Sequence, residues 1–483
     1  MSKKLEVTPT GDESLDEILG GGIPSHSVVV IAGEPGSGKT VMTLQMLFAA
    51  ARRGQDSLYL TTLSEPAIKA MRYAQQYGFF DGELFEKHIR FHDLGSILRE
   101  GAQATMNEIE RLVVEREPAF VVIDSFKVLG DVLRGQVDGR PLIYDLAVQM
   151  AGWGATTFLV GEYSRAEHAS FAEFSIADGI LQLGTTRQEL QAIREIEVMK
   201  LRGAAHRSGT HFFEISEHGL RFVPRVSIPA DVDAHPAIGN DERVLTGVAG
   251  LDELLDGGLP RTSATVVQGG TGTGKTLLGL QFLIEGARRG EKGVLFTLEE
   301  TPAQIRAVAR SFGWDLAKLE REGMLAIKYT SPVELSTDRY LDQARREVKS
   351  LGAQRAVFDS LTTMQLGVHS ERRFKELVYA ITKYLRGSGV TVVMTSESPE
   401  LLGNAQLSGH GVSFIADNFI KIRYVELDGR LDRAISVIKS RGVAHDSELR
   451  GFTIGKGGLQ VVSGRFKNLR GVLTGQPSPV SQA

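Results

Sequence analysis

The chain has 483 residues, which is too long for one compact core and predicts two domains of ordinary size. Its apolar content of 42% is that of a globular protein, and its net charge of −4 gives no electrostatic footprint for nucleic acid. The absence of cysteine excludes disulfides, cysteine nucleophiles and thiolate metal sites and is typical of a reducing compartment. The first residues are charged, and the apolar runs have strand length, so we expect a cytoplasmic protein without a signal peptide or membrane segment.

The sequence contains an internal duplication. Matching segments occur in the same order in the two halves: 10–24 with 246–260, 33–40 with 269–276, 121–125 with 356–360, and 200–206 with 439–445. A repeat of this length indicates two whole domains rather than a solenoid of short units. The stretch between the halves is polar, contains proline and lacks periodicity, as linkers do. We therefore predict a first domain at 1–223, a linker at 224–243, a second domain at 244–463 and a tail at 464–483.

Strands and helices alternate within each half. In the first half, an apolar run at 27–33 predicts a buried strand, and a glycine-rich loop then leads into a helical pattern at 40–54. Apolar runs at 57–62, 120–125 and 156–162 predict further strands with amphipathic helices between them. This alternation predicts an α/β fold in which each domain is a mostly parallel sheet flanked by helices. Ligands of such sheets bind at the carboxyl ends of the strands.

The pattern G-x-x-x-x-G-K-[ST] occurs twice, each time after an apolar strand and before a helix, which is the context that a phosphate loop requires. A chance glycine-rich turn is the alternative, and two copies inside a duplication argue against it. Backbone N–H groups of such a loop and the following helix bind the phosphates of ATP. We expect Lys39 and Lys275 to reach the β- and γ-phosphates, and Thr40 and Thr276 to ligate Mg²⁺. The predicted ATP-binding loops are Gly33, Glu34, Pro35, Gly36, Ser37, Gly38, Lys39 and Thr40, and Gly269, Gly270, Thr271, Gly272, Thr273, Gly274, Lys275 and Thr276.

Two aspartates, Asp124 and Asp359, each end an apolar strand at matching places in the halves. A carboxylate at this position can hold the Mg²⁺ shell of a P-loop enzyme. An ordinary aspartate in a turn at a strand end is the alternative.

Carboxylates also follow the strand after each phosphate-loop helix. The second half has Glu299 and Glu300, whereas the first half has Ser64 and Glu65. A glutamate here faces the γ-phosphate and can deprotonate an attacking water or hydroxyl, so Glu65, Glu299 and Glu300 are the candidate bases. The alternative is that these glutamates only favour a helix N-terminus electrostatically. We expect the first domain to hydrolyse ATP with Glu65 as its single base.

With these motifs in view, the chain resembles the KaiC family of double-domain, RecA-like ATPases, which includes circadian clock proteins. The motifs GLDELLDGGLP, GGTGTGKT, LEETPAQ and FDSLTT carry the resemblance, together with the long stretch 424–446. The family implies tandem RecA-like P-loop NTPase domains and a homohexamer of stacked double rings with ATP between subunits. Cationic residues of a neighbouring subunit then complete each site. The matching positions are Lys200, Arg202 and His206 in the first domain and Lys439 and Arg441 in the second.

For each of these cations, a solvated surface pair at a strand end is the alternative. Family members also stack the adenine on an aromatic residue shortly after the glutamates. Tyr77 and Phe312 match that position, and a place in the core explains either of them equally well.

The resemblance further implies slow hydrolysis in the first ring and autophosphorylation on adjacent Ser and Thr residues in the second. Ser413 matches the serine position, whereas Phe414 takes the place of the threonine and has no hydroxyl. Ser408 lies near another position that accepts phosphate in the family. The alternative is that Ser413 is an ordinary hydroxyl near a strand. The tail stops early compared with the clock protein, so activation by KaiA is not expected, and a KaiB-like partner is compatible with the sequence without being indicated by it.

Three functional hypotheses are compatible with a double-domain ATPase of this sequence. The first is an ATPase and serine autokinase, with or without autophosphatase activity, that acts as a timing or signalling switch. The second is an ATPase scaffold without kinase activity, favoured by Phe414 and the short tail. The third is a RecA-like nucleic-acid motor, which the near-neutral charge and the lack of a basic stripe with interleaved aromatics disfavour. The sequence does not indicate which signalling partners bind.

Overall fold

The computed structural model describes residues 6–62, 67–134, 139–188, 191–225, 239–368, 370–398, 415–427, 430–464, 466, 469–470 and 478–479. The chain divides into two compact units, Met1–Arg225 and Val226–Ala483. The division falls inside the predicted linker, and the limits that we gave for the domains stay a prediction.

The first unit is built of helices and strands and ends in a run of strands. Its helices are α1 (Glu13–Leu19), α2 (Lys39–Ala51), α3 (Ala67–Ala74), α4 (Gly82–His88), α5 (Ala102–Arg116), α6 (Phe126–Arg134), α7 (Gly139–Gly152) and α8 (Ala172–Ile176). Its strands are β1 (Val7–Thr8), β2 (Ile23–Pro24), β3 (Val28–Gly33), β4 (Ser57–Thr61), β5 (Ile89–Asp93), β6 (Phe120–Asp124), β7 (Thr156–Glu162), β8 (Gly179–Gln188), β9 (Gln191–Leu201), β10 (Thr210–Ser216) and β11 (Gly219–Val223).

In the described part of this unit, nine strands form one sheet in the order β11-β10-β9-β8-β3-β7-β6-β4-β5. The strands from β5 to β8 pair in parallel, and β9, β10 and β11 extend the sheet as antiparallel strands. All six residues of β3 are buried, because helices cover both faces of a parallel sheet. Two hydrophobic cores form in consequence, one around Phe48 and Phe158 and the other around Ile109 and Leu159.

The second unit repeats this construction. Its helices are α9 (Leu251–Leu254), α10 (Lys275–Arg288), α11 (Pro302–Ser311), α12 (Leu316–Arg321), α13 (Thr337–Leu351), α14 (Leu361–Gly367) and α15 (Glu371–Gly387). Its strands are β12 (Gly239–Val244), β13 (Leu259–Arg261), β14 (Ala264–Gly269), β15 (Gly293–Thr297), β16 (Leu325–Tyr329), β17 (Arg355–Asp359), β18 (Thr391–Glu397), β19 (Asn418–Leu427), β20 (Arg430–Ser440), β21 (Arg450–Gly455), β22 (Gly458–Val462), β23 (Leu469–Arg470) and β24 (Ser478–Pro479).

The large sheet of the second unit has the strand order β16-β15-β17-β18-β14-β19-β20-β21-β22. The strands from β16 to β19 pair in parallel, so the carboxyl ends of β14, β15, β17 and β18 meet at one edge. This architecture confirms the predicted α/β class with a mostly parallel sheet flanked by helices in each half. Strand β12 pairs with β13, so the last residues of the predicted linker belong to a small antiparallel sheet.

A buried ion pair anchors the start of β17. The Arg355 side chain is 1% exposed, and its Nε donates to Glu291 Oε2 over 2.7 Å. Its Nη1 donates to the carbonyl oxygens of Leu245 and Phe282 over 2.8 and 2.7 Å. Arg261 donates to the other Glu291 oxygen over 2.9 Å. These partners satisfy a guanidinium that would otherwise be costly to bury.

In the part of the chain that the structure describes, we find no helix that is both long enough and apolar enough to cross a bilayer.

Candidate nucleotide-binding sites

The first phosphate loop lies between β3, which ends at Gly33, and α2, which begins at Lys39. Gly36 and Gly38 have φ angles of 74° and 97°, a region that favours glycine. The Lys39 ammonium donates to the carbonyl oxygens of Gly33 and Glu34 over 3.0 and 2.9 Å. Burial lowers the pKa of Lys39, and the nearby negative charges of Glu162 and Asp124 partly oppose that effect.

The second loop has the same construction. Lys275, the first residue of α10, donates to the carbonyl oxygens of Gly269 and Gly270 over 3.1 and 2.9 Å. The φ angles of Gly272 and Gly274 are 74° and 105°. The Tyr424 hydroxyl on β19 also donates to the Gly272 carbonyl over 2.8 Å, so a neighbouring strand supports the loop. Both lysines therefore lie within the mouth of their loops, where a phosphate would bind.

In the first domain, the strand-end aspartate contacts the phosphate loop. The Thr40 hydroxyl donates to Asp124 Oδ2 over 2.9 Å, and the Tyr59 hydroxyl donates to the same oxygen over 2.7 Å. Tyr59 lies on β4 and is buried. It therefore orients the carboxylate towards the threonine.

The second domain reaches the same arrangement with a different supporting residue. The Thr276 hydroxyl donates to Asp359 Oδ2 over 2.8 Å, and the Thr395 hydroxyl on β18 donates to Oδ1. Burial raises the pKa of Asp359, and these two hydrogen bonds oppose that effect. Neither Tyr59 nor Thr395 was identified from the sequence, because the two residues occupy different strands and have no common motif.

These pairs of a hydroxyl and a carboxylate offer the oxygen ligands that Mg²⁺ prefers. In the second domain, Oε2 of Glu300 is buried and has no hydrogen-bond partner among the described residues. Burial, and then repulsion from Asp359 and Glu299, raise the pKa of Glu300. Such a concentration of negative charge fits a divalent cation, which Thr276 and Asp359 would hold, as Thr40 and Asp124 would in the first domain. The metal assignment itself stays a prediction.

The two adjacent glutamates differ in their surroundings. Glu299 is exposed, and its Oε1 accepts hydrogen bonds from the hydroxyls of Ser360 and Thr363 over 2.5 and 2.6 Å. Ser360 follows Asp359 directly and is the N-cap of α14, and Thr363 lies in the first turn of that helix. Glu299 is thus oriented and accessible, whereas Glu300 is partly buried. The sequence did not distinguish them, although the hydroxyls of the FDSLTT motif were the available signal.

The helix that follows these glutamates begins with a hydrogen-bonded cap made by other residues. Thr301 is the N-cap of α11, and its side chain forms a capping box with Gln304. The Thr301 N–H donates to Gln304 Oε1 over 2.8 Å. The start of this helix is therefore capped without the side chains of Glu299 or Glu300.

The corresponding residues of the first domain, Ser64 and Glu65, lie outside the described residues. The N–H of Thr62 donates to the Asp124 carbonyl, as that of Leu298 does to the Asp359 carbonyl, so these two residues are equivalent. The segment from Thr62 to Tyr77 in the first half is one residue longer than the equivalent segment from Leu298 to Phe312 in the second. The pairing of Glu65 with Glu300, and the role of Glu65 as a base, stay predictions.

An apolar cavity of about 250 Å³ opens beside the first phosphate loop. Its lining includes Thr40, Val41, Leu44, Tyr73, Tyr77 and Phe79. Tyr77 also stacks on Phe79, with ring centroids 5.4 Å apart and an interplanar angle of 7°. Phe312 stacks on Trp314 in the same way, at 5.5 Å. Tyr77 therefore packs against the core and also lines a cavity next to Thr40, and its stacking on an adenine stays a prediction.

The cations that the family resemblance singled out lie on the first antiparallel strand of each sheet or in the segment that follows it. Lys200 on β9 donates to the Ser175 carbonyl over 3.4 Å, and Lys439 on β20 donates to the Ala416 carbonyl over 2.7 Å. Burial and an adjacent arginine lower the pKa of both lysines. Arg202 and Arg441 are both exposed, and Nη1 of Arg202 lies 3.5 Å from Oδ1 of Asp178. Nδ1 of His206 is buried, and no hydrogen-bond partner lies within the part of the chain that the structure describes.

One further carboxylate in each half was missed. Glu162 ends β7 and Glu397 ends β18, each beside a phosphate loop. The signal was present, since the matching apolar runs both end in glutamate. Ser413, Ser408 and Phe414 lie outside the described residues.

Two mostly parallel sheets, each with a phosphate loop and a strand-end aspartate that contacts it, define a P-loop ATPase with tandem RecA-like domains. The family model described as "ATPase: KaiC" matches residues 8–227 and 244–465. The chain therefore belongs to the KaiC ATPase family and is a double-domain ATPase.

Relatives match over almost the whole chain. It is 29% identical over 492 residues to the circadian clock oscillator protein KaiC of Acaryochloris marina, with 99% of this chain and 93% of the relative covered. It is 28% identical over 495 residues to the protein of the same name from a Picosynechococcus strain, with 99% and 94% covered. It is 27% identical over 494 residues to the circadian clock protein KaiC3 of a Synechocystis strain, with 99% and 96% covered.

Proposed function

We propose that the two domains divide the chemistry of ATP. The first hydrolyses it, and the second transfers the γ-phosphoryl group to a serine of the protein itself. The observation that carries this proposal is Glu299, an exposed carboxylate held by two hydroxyls beside the Asp359–Thr276 pair. A candidate base that is both oriented and accessible suits an acceptor that arrives from the protein surface.

The proposed transfer assigns a role to each group. The serine oxygen forms a bond to the γ-phosphorus, the bond from that phosphorus to the β,γ-bridging oxygen breaks, and ADP leaves. Glu299 accepts the serine proton, while Lys275 and the N–H groups of its loop stabilise the charge on the phosphates. Mg²⁺, held by Thr276 and Asp359, would supply further positive charge at the β- and γ-phosphates.

The proposed acceptor is Ser413. The full chain, incubated with Mg²⁺ and γ-labelled ATP, is expected to become labelled, and Ser413→Ala is expected to remove the label because the acceptor hydroxyl is gone. Ser408→Ala serves as a matched control, since it removes a nearby hydroxyl and should leave the label in place. Gel autoradiography of the three proteins measures the outcome.

Absence of label from the wild-type chain, with ATP hydrolysis intact, would refute the kinase. It would favour an ATPase scaffold instead, in agreement with the phenylalanine at position 414. Label that survives in Ser413→Ala but disappears in Ser408→Ala would reassign the acceptor.

We further propose that the active form is a cytoplasmic homohexamer in which a neighbouring subunit supplies cations to each ATP. Lys200, Arg202 and His206 would serve the first ring, and Lys439 and Arg441 the second. Support comes from their repetition in both halves and from the exposure of both arginines. The hydrolysis state would then bias which partners bind, among them a KaiB-like protein, and we expect no KaiA or nucleic acid among them.

A further inference from the structure

A carboxylate stands beside the first glycine of each phosphate loop. Glu397 ends β18 and is the parallel ladder partner of Gly269 on β14. Glu162 ends β7 and is the ladder partner of Gly33 on β3. The two positions are therefore structurally equivalent, and each lies where a phosphate would approach the loop.

In the second domain, the glutamate side chain contacts the loop directly. Its Oε1 lies 3.7 Å from the Lys275 ammonium and accepts a hydrogen bond from the Thr271 hydroxyl over 3.1 Å. The Glu397 backbone is held in place, because its N–H donates to the Thr362 hydroxyl over 2.8 Å. A negative charge from the protein thus already faces the lysine that would bind the β- and γ-phosphates.

Any phosphate that binds Lys275 must share this position with the carboxylate or move it aside. Like charges at such short distances repel each other, and the repulsion is less screened than in bulk water. A nucleoside triphosphate places more charge here than a diphosphate does, because the diphosphate lacks the γ-phosphoryl group. The carboxylate should therefore disfavour the triphosphate more strongly.

We propose that Glu397 is a resident anion of the second phosphate loop, which a nucleoside triphosphate must displace, and that it sets the preference of this site between ATP and ADP. The inference rests on nucleotide binding at the second loop, which the proposed kinase also requires. Glu397 is a positioning residue here: it holds Lys275 and Thr271 before nucleotide arrives, and it favours release of ATP from the site. It takes no part in proton transfer.

The first domain offers a weaker version of the same device. The Glu162 carboxylate acts electrostatically on Lys39. Glu162 is exposed, whereas Glu397 is partly buried, so water screens the repulsion between the Glu162 carboxylate and a phosphate more strongly. We therefore expect Glu162 to affect nucleotide affinity less than Glu397 does.

The test measures nucleotide affinity in the full chain with Lys39→Ala, which silences the first loop. Titration calorimetry with Mg-ATP and Mg-ADP measures the affinity of this protein with Glu397 in place and with the substitutions Glu397→Gln and Glu397→Asp. We expect Glu397→Gln to tighten ATP binding about tenfold, because one full charge is removed at close range. ADP binding should tighten clearly less, so that the ratio of the two affinities shifts towards ATP. Glu397→Asp keeps the charge on a shorter side chain, so its affinities should lie between those of the protein with Glu397 and those of Glu397→Gln.

Two controls distinguish a local effect at the second loop from a general change in surface charge. Glu371→Gln removes an exposed charge on α15, whose only described ion-pair partner is Lys375, and should leave both affinities unchanged. Lys275→Ala should abolish binding; nucleotide binding that persists there would show that the second loop is not the site measured. An equal change for ATP and ADP, or weaker ATP binding in Glu397→Gln, would overturn the proposal. The test reads out binding rather than phosphoryl transfer, so a chain that fails as a kinase can still pass it.

Discussion

Glu299→Gln is expected to lower the rate of phosphoryl transfer in the second domain by about 100-fold or more, the range of a lost general base. The physical reason is access. Glu299 is exposed and oriented by the Ser360 and Thr363 hydroxyls, whereas the free oxygen of Glu300 is buried. The rate at which γ-labelled ATP labels the full chain carrying Lys39→Ala reports on the second site alone. The affinity for ATP should change little, because glutamine keeps an oxygen that can accept the hydrogen bonds from the Ser360 and Thr363 hydroxyls.

Glu300→Gln is the matched control, one residue along the chain. It removes a buried charge beside Asp359 and should lower the rate of phosphoryl transfer clearly less than Glu299→Gln does. Equal losses, or a larger loss at Glu300, would contradict the assignment of Glu299 as the base and would move that role to the buried carboxylate.

Arg355→Met is expected to destabilise the second domain by about 3 kcal/mol or more, as removal of one partner from a buried ion pair does. Methionine preserves most of the volume, so the loss reports on the charge and hydrogen bonds rather than on a cavity. The carbonyl oxygens of Leu245 and Phe282 would lose their donor, and Glu291 would keep only Arg261.

The chain offers a direct way to measure this. It contains two tryptophans, Trp153 in the first unit and Trp314 in the second. In a Trp153→Phe background, tryptophan fluorescence during urea unfolding reports only on the core around Trp314. Arg372→Met, at an exposed pair with Glu376, is the control and should cost no more than about 1 kcal/mol. A loss of that size at Arg355 as well would contradict the role of the buried pair.

The same pair predicts a dependence on pH. Burial raises the pKa of Glu291, but hydrogen bonds from Arg261 and Arg355 outweigh it, so the pKa lies below its ordinary value of 4.5. A carboxylate whose pKa is lowered by folding contributes stability that is present above about pH 4.5 and lost as the pH falls through the folded value. Arg355→Met should flatten this acid loss, which unfolding curves at a series of pH values would show.

The elements that could be predicted from the sequence were those with local signals. The apolar runs before each phosphate loop became β3 and β14, whose residues are all buried. The loops themselves could be located because glycine spacing and the following helix are encoded within a few residues. The contacts of Asp124 with Thr40 and of Asp359 with Thr276 agree with the expectation that strand ends meet at one edge of a parallel sheet.

The rest depended on strand register between segments far apart in the sequence. Which glutamate is accessible follows from hydroxyls on α14, and Glu397 meets the phosphate loop only because β18 pairs with β14. Tyr59 and Thr395 show the same limitation, since two different strands support equivalent aspartates. In each case the sequence shows which residue is present, but only the tertiary fold determines which residue it contacts.

The division of labour between the domains is tested most directly by peptide mass spectrometry of three full-length proteins after incubation with Mg-ATP. These are the wild type and the variants Lys39→Ala and Lys275→Ala. We predict phosphate on Ser413 in the wild type and none in Lys275→Ala, which should still release phosphate from ATP through the first domain. Phosphorylated Ser413 in Lys275→Ala, or an unmodified Ser413 in a wild-type protein that hydrolyses ATP, would contradict the account.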